Sequence, residues 1–108
     1  RVVLWTRVAP AGWDRDLVLQ LAEDAAFERV RVERAFRAGV ATDGCLKVRV
    51  EALEADREWH YRFVMIGADG TPRSSRPGRT RTAPAAGSER DLRFAVMSCQ
   101  DYTGRWYN

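Results

Sequence analysis

Apolar and polar positions alternate with a period of two along much of the chain, and that period predicts strands. Val2 to Val8 is apolar and β-branched, and Pro10-Ala11-Gly12 ends it as a turn. Leu17, Leu19 and Leu21 share one face, with Gln20 opposite. Asp24-Ala25-Ala26-Phe27 follows as a short turn. Val30 and Val32 then alternate with Arg31 and Glu33. The Ala, Glu and Arg content of 24–38 also allows a helix, but the alternation favours a turn and a strand. Thr42-Asp43-Gly44 is a turn signal, after which Leu46, Val48 and Val50 alternate with Lys47, Arg49 and Glu51. Trp59, Tyr61, Phe63 and Met65 take one parity of the next strand, and His60, Arg62, Val64 and Ile66 the other. Asp69-Gly70 marks a hairpin, and Gly78 to Thr82 reads as the last strand of the set.

Strands recurring about every dozen residues, with turns between them, predict an all-β domain: an antiparallel β-sandwich over residues 1–84. Small residues from Ala83 to Ser88 open a linker, drawn over 85–91. The pattern then changes. Leu92-Arg93-Phe94-Ala95-Val96-Met97 is a nearly continuous apolar run that ends at Ser98-Cys99-Gln100-Asp101. Such a run suits a strand buried on both faces, as in an α/β domain. Open α/β sheets gather their ligands beyond the carboxyl ends of such strands. Residues 92–108 are therefore expected to be the first strand and loop of a second, truncated domain.

The 108 residues are enough for one core, and 45% hydrophobic against 31% charged residues is the composition of a folded domain. No apolar run approaches the ~20 residues needed to cross a bilayer, and no signal peptide is visible. A strand that starts at the first residue, and an end at Tyr107-Asn108 without a closing signal, suggest a piece of a longer protein. The net charge is +3, and of the 18 basic residues only Lys47 is lysine. The basic residues cluster once, as Arg73, Arg76, Arg79 and Arg81 in a Pro/Gly/Ser-rich stretch. That reads as a solvated loop leading into a strand, and no nucleic-acid partner is expected. Cys45 and Cys99 form neither a CxxC pair nor a disulfide framework.

Four segments together resemble the PhoD-like alkaline phosphatases and phosphodiesterases. They are Val2-Val3-Leu4-Trp5-Thr6-Arg7-Val8-Ala9-Pro10, Leu53 to Phe63, Gly78-Arg79-Thr80-Arg81-Thr82-Ala83-Pro84, and Leu92 to Gln100 followed by Tyr102, Gly104 and Tyr107-Asn108. The resemblance implies a fibronectin/immunoglobulin-like N-terminal sandwich packed on a metallophosphoesterase domain. The parent protein is then expected to be exported, to the periplasm or beyond the cell. It would hydrolyse phosphate esters with a metal-activated water at an iron and calcium centre. The sequence departs from the fibronectin pattern at one corner: Ala55 stands where Pro is usual and Trp59 where Tyr is usual, so that corner is expected to be built differently.

The resemblance makes Cys99 a thiolate ligand of the iron; without it, Cys99 reads as a small buried core residue. Asp101 is a further candidate ligand or supporting acid, against a plain loop acid. Arg105 is a candidate phosphate contact, and Gln100, Tyr102 and Asn108 are candidates to line the same cleft. Cys45, with no His or Cys near it, reads as structural filler. His60, the single histidine, reads as a surface strand residue. Trp5, Trp59, Tyr61 and Phe63 read as core in preference to a stacking platform. With Cys99 as the one credible ligand, the chain by itself is expected to bind no metal and to be inactive. The alternative is a stand-alone β-sandwich interaction module.

Overall fold

In the computed structural model the described residues are 1–8, 14–67 and 69–96. They form seven strands: β1 (Val2–Arg7), β2 (Arg15–Ala22), β3 (Val30–Ala38), β4 (Cys45–Val50), β5 (Glu58–Ile66), β6 (Pro72–Ser74) and β7 (Gly78–Arg81). A single 3-10 turn, Val40–Thr42, is the sole helical element among the described residues. The turn expected at Pro10-Ala11-Gly12 lies outside them. The stretch allowed as a helix by composition is instead a turn followed by β3, because β3 pairs with β2 from Val30 to Ala38, with one irregularity at Arg31.

Two sheets face each other. β1 and β4 pair antiparallel, with Val2 opposite Val50, Leu4 opposite Val48 and Thr6 opposite Leu46. The second sheet runs β3-β2-β5, and β6 and β7 share the far edge of β5. Leu17, Leu19 and Leu21 stand opposite Met65, Phe63 and Tyr61, so the apolar parities of β2 and β5 fall on one face. Leu4, Leu19, Leu21, Val48, Val50, Trp59 and Phe63 form the buried core between the sheets. The alternation read from the sequence is therefore the inside and outside of a β-sandwich.

β6 has no counterpart in the alternation pattern. Pro72 opens it, where a missing N–H costs no ladder bond, and Ser74 and Arg73 pair with Val64 and Met65. Pro77 then interrupts the edge. Ser75 bridges the gap: its N–H donates to the Phe63 carbonyl at 2.8 Å and its Oγ accepts from the Phe63 N–H at 3.0 Å. β7 resumes the pairing from Gly78, opposite Tyr61. A Cβ at Gly78 would run into the Tyr61 ring, so a side chain there would have to push the ring or the strand aside.

β3 is the other edge strand of the larger sheet. Arg34 sits on the inward parity between Val32 and Phe36 and lays its guanidinium 5.3 Å from the Phe36 ring centroid. An inward-pointing charge on an edge strand blocks further strand addition. Beyond the linker, residues 91–96 pair with no strand, and Phe94 and Val96 are 83% and 93% exposed. The expected strand at 92–97 thus has no ladder partner among the described residues.

Candidate functional site

Cys99, Asp101 and Arg105, with Gln100, Tyr102 and Asn108, lie outside the described residues. Among the described residues no group of three His, Cys, Asp or Glu side chains is placed to hold a metal ion. Cys45 opens β4 opposite Arg7 on the outward parity, half-buried and unpaired. His60 lies on the outer face of β5, as its parity requires. Its Nε2 is 3.7 Å from a Glu58 carboxylate oxygen, and its side chain is mostly covered.

The aromatic residues divide. Trp59 and Phe63 are core, and Tyr61 packs against the core with its ring edge-on to Phe63 at 6.3 Å and 82°. Trp5 is on the outer face of β1 with Val3, 54% exposed. The arginine cluster is also divided. Arg73 pairs with Asp69 at 3.2 Å, Arg79 lies 3.9 Å from Glu58, and Arg81 pairs with Asp56 at 2.9 Å. Three of the four arginines thus each have an acid beside them, Asp69 and Asp56 on turns and Glu58 at the start of β5, which argues against a continuous polyanion face.

The chain leaves the sandwich beside the corner before β5, where side-chain and backbone hydrogen bonds tie two segments together. Thr82, just past β7, is buried. Its Oγ1 accepts from the Arg57 N–H at 3.0 Å and donates to the Glu54 carbonyl. The backbone joins the same two segments: Thr82 N–H donates to Arg57 O, and Asp56 N–H to Ala83 O, both at 3.0 Å. Asp56 takes left-handed backbone angles with φ at 53°, which a short polar side chain tolerates better than most. Trp59 occupies the position where related corners use tyrosine. Its Nε1 is buried and finds no acceptor among the described residues. Thr82, rather than the strand β5 aromatic, holds this corner.

Charge surrounds it. Arg57 lies over the Trp59 ring at 5.0 Å and pairs with Glu23 at 3.0 Å and with Glu54. The Glu54 contact, and then Glu23, hold the Arg57 guanidinium more firmly protonated than usual. A cleft of about 880 Å³ opens between the corner and the exit segment, with Asp56, Arg81, Arg90, Arg93, Leu92 and Phe94 among its walls. The cleft lies at the joint between the sandwich and the exit segment, and its charged walls are Asp56, Arg81, Arg90, Asp91 and Arg93.

The family model described as the PhoD-like phosphatase N-terminal domain matches residues 1–84. A solved structure titled "Structure of PhoD" superposes with a TM-score of 0.71 at 26% identity. The match covers 80% of this chain and 17% of that one, so the chain spans less than a fifth of the solved protein's length. No curated protein matches. The family match ends at Pro84, just past the Thr82 corner and the last strand of the sandwich, and on that correspondence the chain belongs to the PhoD-like phosphatase family, through its N-terminal domain.

Proposed function

We propose that the chain is the N-terminal region of a phosphoric ester hydrolase, and that catalysis belongs to the domain entered at Leu92. The observation that carries the proposal is the family match over residues 1–84. The apolar run Leu92 to Val96 agrees with it. Its side chains are exposed here, and they have the pattern of a strand that buries both faces in a partner sheet.

In this proposal Cys99 holds the metal centre through its thiolate, with Asp101 as a second acid and Arg105 on a phosphate oxygen. Iron and calcium, when bound, would polarise the phosphoryl group and activate the attacking water. A thiolate beside such a cation stays deprotonated. The sandwich itself contributes no reacting group; it packs on the catalytic domain and fixes where that domain begins. The parent works outside the cytoplasm.

The test is substitution in a full-length protein. Cys99→Ser removes most phosphatase activity and the bound iron, because an un-ionised hydroxyl is a poor substitute for an anionic sulfur ligand. Cys45→Ser, on the outward parity of β4, leaves both unchanged. Wild-type iron content and rate in Cys99→Ser would return Cys99 to the status of a buried core thiol.

A further inference from the structure

The segment after β7 does not run straight out of the sandwich. It turns back on itself. Ser88 N–H donates to the Ala85 carbonyl at 3.2 Å, and Gly87 takes a φ of 82°. Glycine at that position is what a tight reverse turn of this kind requires. The turn returns Arg90 to the corner, where its Nη1 donates to Asp56 Oδ1. The same oxygen already accepts from Arg81 Nε at 2.9 Å, and Arg81 Nη2 donates to the Asp56 carbonyl at 3.1 Å. One carboxylate oxygen thus holds two arginines from the two ends of the segment 81–90.

We propose that Asp56 is a latch that closes residues 81–90 into a loop and fixes the point from which the chain departs the sandwich. A flexible linker of seven residues wanders over about 15 Å. With the latch closed, the departure point is Arg90, beside the Thr82 corner, and the apolar run that follows starts from a defined place and direction. The corner is a sound anchor because its backbone is tied to Thr82 and Ala83 independently of the Asp56 side chain. The latch itself is partly exposed, with Asp56 and Arg90 side chains 36% and 44% accessible. Salt therefore weakens it. Without the carboxylate, Arg81 and Arg90 are left as neighbouring like charges with no acid to hold the loop closed. The inference concerns the 108-residue chain and stands whether or not the parent is a phosphatase.

The test is backbone order parameters by nitrogen-15 relaxation on this chain. Rigid backbone gives about 0.85 and flexible backbone less than about 0.6. Residues 86–90 should match β7 in the wild type and fall into the flexible range in Asp56→Asn and in Arg90→Gln. The amides of β2 and β5 should stay unchanged in both. Arg90→Gln touches only the exit segment, so it decides the matter if Asp56→Asn disturbs the corner. Molar sodium chloride should loosen 86–90 in the wild type and do little in either variant. Residues 86–90 that are already flexible in the wild type, or equally rigid in Arg90→Gln, would overturn the latch.

Discussion

Asp24 shows how one side chain can shape a turn. Its Oδ1 accepts from the Ala26 and Glu28 N–H groups, both at 3.1 Å, and its Oδ2 from the Arg29 N–H at 2.8 Å. The turn it holds places Phe27, at a φ of 60°, under the Arg62 guanidinium, 4.2 Å from the ring centroid. The N–H groups of Glu28 and then Arg29 hold the Asp24 carboxyl below its ordinary value of 3.8. The folded state therefore favours the charged form. Its contribution is present above that value and is lost as pH falls through the lower folded one. Denaturant midpoints should show Asp24→Asn less stable than wild type near neutrality, with the gap closing in strong acid. A gap that persists there would mean the charge is not what matters. Leu19 offers a different test. It is fully buried opposite Phe63, so Leu19→Ala should cost about 2–5 kcal/mol in equilibrium unfolding.

The strands divide by what specifies them. β2, β4 and β5 carry their own alternation, so the inward sets Leu17-Leu19-Leu21 and Trp59-Tyr61-Phe63-Met65 were legible without any knowledge of partners. β6 was not legible. Three residues led by a proline and all exposed have no pattern of their own, and they become a strand only because Val64 to Ile66 offers a free edge. The corner was half legible. Ala55 and Trp59 signalled a departure from the usual build, but nothing local points to Thr82, whose hydroxyl reaches 25 and 28 positions back to Arg57 and Glu54. Thr82→Val keeps the shape and removes both bonds, leaving the part-buried Arg57 N–H unpaired. It should destabilise the sandwich by about 1–3 kcal/mol in thermal or urea unfolding, with the sheet spectrum intact. Gly78→Ala should detach β7 from Tyr61, read as faster amide exchange at residues 78–81 than at β2.

The sandwich and the exit segment have different grounds for order. Residues 1–84 own a closed core, whereas 90–96 rest on one carboxylate and end in exposed apolar side chains. The candidate metal and phosphate residues, Cys99, Asp101 and Arg105, rest on family resemblance and on the position of Cys99 after an apolar run, and they lie outside the described residues. The Asp56 latch was invisible in the sequence, because Arg81 and Arg90 lie 25 and 34 positions away. A catalytic metal site needs several protein ligands and an open position for water, and this chain offers one strong ligand candidate. The division of labour is therefore open to one direct measurement: hydrolysis of p-nitrophenyl phosphate and bis-p-nitrophenyl phosphate, with iron and calcium supplied, by the purified 108-residue chain beside a full-length protein that carries it. The full-length protein should turn over at least one of the two substrates while the folded chain turns over neither. Metal-dependent turnover by the chain alone would contradict the account and move the reaction centre into residues 1–108.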